Sequence, residues 1–97
     1  MSAERVYLVS YDISNRRRWR RVFKLLKRVG EHQQLSVFLC RLPPRRMTRL
    51  EKRLSGLIDP QQDRLMVVAI GTVPDAVACI SGPDAPTILL PVPAVIV

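Results

Sequence analysis

From Val6 to Ile13 the chain runs Val-Tyr-Leu-Val-Ser-Tyr-Asp-Ile, β-branched and aromatic with hardly a break. That pattern predicts a central strand over about residues 5–13, covered on both faces. Alternation puts Val6, Leu8, Ser10 and Asp12 on one side and Tyr7, Val9, Tyr11 and Ile13 on the other. The period then changes. Between Arg16 and Val29 the apolar residues fall at Trp19, Val22, Phe23, Leu26 and Val29, the stripe of an amphipathic helix. Ser14 or Asn15 is placed to cap its first turn, and Gly30 to end it.

Residues 32–42 return to strand character, and periodicity alone leaves open one strand or a hairpin broken near Leu35-Ser36. Pro43-Pro44 ends that segment and starts a second helix over about 44–57, with Met47, Leu50, Leu54 and Leu57 on its buried side. Leu65–Ile70 reads as a buried strand ending at Gly71, Ala76–Ile80 as a weaker one, and Thr87–Leu90 as a third. The tail from Pro91 to Val97 is apolar and interrupted by proline, a composition confined to sheet edges. These elements predict an α/β (α+β) sandwich with two helices on one face of a sheet. Its other face needs a cover, and in a chain of 97 residues a second copy supplies one.

Composition narrows the function. Apolar residues make up 47% and charged residues 25%, as in a folded globular domain, and one domain is expected over 1–97. No apolar run approaches the ~18 residues of a membrane span, and the first residues lack the layout of a signal peptide. A cytoplasmic protein with no membrane partner is expected. Cys40 and Cys79 form no metal-binding pair and read as small buried hydrophobes. His32 is the sole histidine, which weighs against zinc sites and against nucleophile–histidine catalysis.

Charge changes the picture most. The net charge is +8 and the pI about 10.8. All sixteen Lys and Arg residues lie within 1–64, while 65–97 hold only Asp75 and Asp84 as charged side chains. Thirteen of the sixteen are Arg, which favours bidentate phosphate contacts. Basic side chains in the first turn of the first helix oppose its dipole, so they are expected to serve a polyanion. Arg16, Arg17, Arg18, Arg20, Arg21 and Lys24 are the candidate nucleic-acid-binding residues, directed at backbone rather than bases.

Asp12 is the candidate for chemistry. At the end of a strand it has one bland reading, a cap for the next helix. The functional reading makes it a catalytic ligand for Mg²⁺ or another divalent cation, which keeps its waters and accepts one or two carboxylates with phosphate oxygens. A two-fold axis nearby would bring two copies of Asp12 together.

The strand ending Tyr11-Asp12, the arginine-rich helix closing at Gly30, and Gln34-Leu35-Ser36-Val37-Phe38 together resemble the small CRISPR-associated metal-dependent endonucleases, the non-integrase subunit of the spacer-acquisition complex. The likeness is good over residues 5–42, and 64–71 fits the family's later strand. It departs at Leu35, where an aromatic is usual, and at His32, where a basic residue is common. The resemblance implies a ferredoxin-like βαββαβ fold with 32–42 split into a hairpin. It implies a core over 1–80 and a homodimer in which the strand and tail of 81–97 add to the partner's sheet. It also implies that Asp12 is the metal-binding catalytic residue, with Tyr11 beside it and Ser36 and Phe38 supporting it near the dimer interface. The function implied is CRISPR adaptation alongside an integrase subunit, with endonuclease activity on DNA or RNA. A toxin-type ferredoxin-like ribonuclease and a non-catalytic DNA-binding scaffold are the alternatives.

Overall fold

The computed structural model describes residues 3–34 and 36–75. Their elements run β1 (Arg5–Asp12), α1 (Arg16–Val29), β2 (Glu31–Gln34), β3 (Val37–Leu42), α2 (Pro44–Leu57) and β4 (Arg64–Gly71). The expected strands and tail beyond residue 75 lie outside the described residues.

The four strands form one antiparallel sheet in the order β2-β3-β1-β4. This is the ferredoxin-like arrangement, with β3 and β1 inside and β2 and β4 at the edges. The 32–42 segment is a hairpin, its two strands meeting across Ser36. β1 pairs with β3 from Arg5↔Leu42 to Ser10↔Val37, and with β4 down to Asp12↔Arg64.

Alternation along β1 sorts the two faces as expected. Val9, Tyr11 and Ile13 join Phe38, Cys40 and Leu42 beneath both helices. α1 contributes Val22, Leu25, Leu26 and Val29, and α2 contributes Met47, Leu50 and Leu54. Trp19 and Phe23 are half-buried at the margin of this core, whereas Leu25, absent from the expected stripe, is inside it. Each fully buried side chain of this size is worth roughly 1.5–3 kcal/mol over its exposed state, so this single layer carries most of the stability.

Asn15 caps α1, its side chain accepting the Arg18 N–H at 2.9 Å. Gly30 follows the helix and gives its N–H to the Leu26 carbonyl at 2.8 Å. Its backbone is extended rather than left-handed, so glycine is required here for another reason. A Cβ would stand 2.7 Å from the Leu39 carbonyl oxygen and 2.8 Å from the Cys40 sulfur, because α1 enters the sheet directly against β3. Gly56 lies within the last turn of α2, where a Cβ would meet nothing within 4 Å.

Neither α1 nor α2 lies on the opposite face of the sheet. Val6 and Leu39 are buried there beside Leu8, Ile70 and Val73. Met66 and Val68 of β4 are 55% and 43% exposed. No helix among the described residues is long and apolar enough to cross a membrane.

Candidate active site and nucleic-acid interface

Strand alternation alone decides where Asp12 points. Its neighbour Tyr11 turns inward and is 3% exposed, so Asp12 turns to the uncovered face and is exposed. Cross-strand pairing sets it opposite Arg64, the first residue of β4. Directly opposed residues have Cβ atoms roughly 4.5–5.5 Å apart, so the Arg64 side chain starts beside the acid. An open depression of about 800 Å³ includes Ser10, Asp12, Glu51, Ser55, Arg64 and Met66 in its lining.

Arg64 was not visible as a partner in the sequence. It stands 52 positions from Asp12, and only the register of β1 on β4 joins them. What fixes it is the residue before it. The Asp63 carboxylate is buried and receives the Arg18 guanidinium in two hydrogen bonds, from Nε at 2.6 Å and from a terminal nitrogen at 3.2 Å. The same carboxylate accepts the Asp59 N–H at 2.8 Å, and Arg18 also donates to the Gln62 side chain at 3.2 Å. Arg18 and the Asp59 amide together hold the Asp63 carboxyl below its usual range. The loop 59–63 is thereby tied to the start of α1, and β4 begins from a fixed point.

Arg18 therefore differs from its neighbours. Its guanidinium is partly buried and held by the Asp63 carboxylate and the Gln62 side chain, so of the expected nucleic-acid-binding residues it is the one that also secures loop 59–63. Arg16, Arg17, Arg20, Arg21 and Lys24 are exposed and keep their heads in solvent, as the polar face of α1 requires.

The supporting residues fall on two sides. Ser36 sits in the β2–β3 turn, where its carbonyl accepts the Tyr11 N–H at 3.1 Å and secures the end of β1. Phe38 is fully buried on the helix face, 6.3 Å from the Tyr11 ring. It packs the core rather than approaching Asp12 or the uncovered face, because its position in β3 alternates inward. The Tyr11 hydroxyl is buried with no hydrogen-bond partner among the described residues. Burial raises its pKa, so the phenol stays protonated and is no general base near neutrality. Cys40, pushed up to about 12 by burial, is an inert thiol.

No three His, Cys, Asp or Glu side chains converge on a metal position among the described residues. Asp12 offers one solvated carboxylate, with neither sulfur nor nitrogen ligands beside it. That donor set is wrong for zinc and fits a largely hydrated hard cation.

A basic ferredoxin-like domain with an exposed strand-end acid beside an arginine has the makings of a small nuclease. The comparisons with known proteins agree. The family model described as CRISPR associated protein Cas2 matches residues 5–74. CRISPR-associated endoribonuclease Cas2 1 of Rhodospirillum rubrum is 42% identical over 74 residues, 76% of this chain and 72% of that protein. CRISPR-associated endoribonuclease Cas2 of Geobacter sulfurreducens is 41% identical over 68 residues, 70% of this chain and 72% of that protein. Among solved structures, Streptococcus pyogenes Cas2 superposes with a TM-score of 0.71 at 28% identity, covering 79% of this chain and 96% of that one. The chain belongs to the Cas2 family of small CRISPR-associated endonucleases, part of the CRISPR adaptation machinery.

Proposed function

We propose that this chain is a metal-dependent endonuclease of CRISPR adaptation, acting on RNA or DNA as a cytoplasmic homodimer alongside an integrase subunit. The observation that carries the chemistry is the exposed Asp12 carboxylate set across the β1–β4 ladder from Arg64. The names of the relatives, endoribonuclease in most cases and endonuclease in one from Thermus thermophilus, support the activity.

The uncovered face supports the dimer. Exposed Met66 and Val68, continuous with the Val6–Leu39 cluster, form an apolar surface of the kind that marks an interface. A second copy laid on it brings its own Asp12 to the same side, giving the two carboxylates that a hydrated cation accepts.

Mg²⁺ held there supplies Lewis acidity and neutralises charge on the phosphodiester. Asp12 holds the ion, and Arg64 binds a non-bridging phosphate oxygen. Arg16, Arg17, Arg20, Arg21 and Lys24 hold the flanking backbone through charge, without reading sequence.

The test compares wild type with Asp12→Asn on labelled single-stranded RNA and duplex DNA, with Mg²⁺ or with EDTA. Cleavage should require the metal and fall about 100-fold or more in the variant. Metal-independent cleavage, or cleavage that survives the substitution, would reject the assignment. A non-catalytic scaffold is the second reading, favoured by the single carboxylate per protomer; binding without any cleavage by wild type would select it.

A further inference from the structure

The sole tryptophan of the chain is not used by the chemistry above. Trp19 sits one turn into α1, half-buried, and forms a wall of an open cavity of about 360 Å³. The remaining lining is Ile13, Ser14, Arg16 and Arg20. A side chain this large at a helix margin usually completes the core, yet Val22, Leu25 and Leu26 already fill it. The indole is instead held in a fixed plane. Phe23 lies parallel against it, with ring centroids 4.9 Å apart and 9° between planes. Tyr11 meets it edge-on at 6.4 Å. Phe23 is itself backed by His32 at 5.3 Å and Phe38 at 5.6 Å, with the Lys27 ammonium 5.5 Å from its ring.

We propose that this cavity takes one unstacked nucleobase of a bound strand. Two demands identify the ligand. A preoriented indole rewards a flat π-system, and the Arg16 and Arg20 guanidinium groups reward a phosphate attached to it. A base continues the Trp19–Phe23 stack while its phosphates meet the two arginines. The volume is at the low end of ligand pockets, roughly 300–1,000 Å³, and admits a single base. In a duplex both faces of each base are already covered, so the site selects a single-stranded segment, a bulge or a frayed end. Its position follows from the chain, since Ile13 and Ser14 come directly after Asp12. Asp12 faces the other side of the sheet, so a strand must pass around the end of β1 to meet both the acid and this cavity. The inference rests on the reading of α1 as a nucleic-acid surface.

Trp19 is its own reporter. In EDTA, where cleavage is blocked, the full chain is titrated with a single-stranded RNA oligomer and with an abasic strand of equal length and charge. A blunt duplex serves as the third probe. The base-bearing strand should quench the tryptophan emission strongly and the abasic strand and duplex little. Trp19→Ala, followed by fluorescence anisotropy of labelled strands, should lose about tenfold in affinity for the base-bearing strand and none for the abasic one. Trp19→Phe should keep most of the affinity. Equal quenching by base-bearing and abasic strands would overturn the proposal, and because that reading uses wild type it holds even if a variant fails to fold. Tight binding of both strands without the difference would remove the base site alone. Failure to bind either strand would remove the nucleic-acid surface as well.

Discussion

Arg18 and Asp63 are joined across the molecule by two hydrogen bonds of 2.6 and 3.2 Å, with the aspartate side chain fully enclosed. They lie 45 residues apart, and between them they fasten the loop that delivers Arg64 to the acid.

Replacing Asp63 with Ala should lower the melting temperature by several degrees, since the Arg18 guanidinium and the Asp59 amide both lose their acceptor. The pH dependence has a definite sign. With the folded carboxyl below its ordinary value of 3.8, its contribution is complete above that value and fades as pH falls through the folded value. Thermal melts from about pH 2 to 6 should show that part of the acid slope absent in Asp63→Asn. Arg18→Ala should melt early while keeping most of its salt-dependent nucleic-acid affinity.

Arg17, Arg20 and Arg21 should behave in the opposite way. Their joint replacement by Ala leaves stability nearly unchanged, because all three are exposed. Affinity for duplex DNA should fall, and the slope of log K against log salt should shrink by about 0.9 for each phosphate no longer neutralised. An unaltered slope would move the footprint to the arginines of α2.

Arg64→Gln tests the cation beside Asp12. A side chain that steadies charge on the reacting phosphate should cost about 100-fold in kcat when removed, with binding of uncleaved substrate little affected. Arg64→Lys should recover part of the rate. Full activity in Arg64→Gln would show that the guanidinium takes no part.

Glu31, on β2, has its carboxyl raised by burial and one carboxylate oxygen without a hydrogen-bond partner among the described residues. The cost of its charge is absent below the ordinary value of 4.5, grows as pH rises toward the folded value, and is constant beyond it. Glu31→Gln should therefore melt a few degrees higher than wild type near pH 7 and converge with it near pH 4.

Gly30→Ala should cost about 1–3 kcal/mol in urea unfolding, because the new methyl meets the Leu39 carbonyl and Cys40 sulfur at distances no Cβ tolerates. Met66→Asp with Val68→Asp should leave the protomer folded, both sites being exposed, and should reduce the mass seen by light scattering from dimer to monomer.

Much of the fold was legible because its elements carry single, uncontested periods. β1 and α1 could be read almost to the residue, and the direction of Asp12 followed from counting by twos along β1. The hairpin could not be read from periodicity, since an apolar run interrupted only by Ser36 suits one strand as well as two; the family likeness supplied it. Gly30 was rightly placed as the end of α1, but the close approach to β3 that requires a glycine there is a tertiary fact. Arg18 was hidden among the other basic residues of α1, identical in type to its neighbours. Only the return of the chain at Asp63 distinguishes it. Phe38 was drawn toward the site by its place in a motif, while its alternation in β3 sends it inward.

The alternation of β1 has one last implication. A slip of a single residue in its pairing would bury the Asp12 carboxylate under the helices and turn Tyr11 out to water. Any chain that mispairs this ribbon thus forfeits its hydrophobic interior at the same moment as its reactive group. Quality control over the one is quality control over the other, so no well-folded copy presents a misplaced acid.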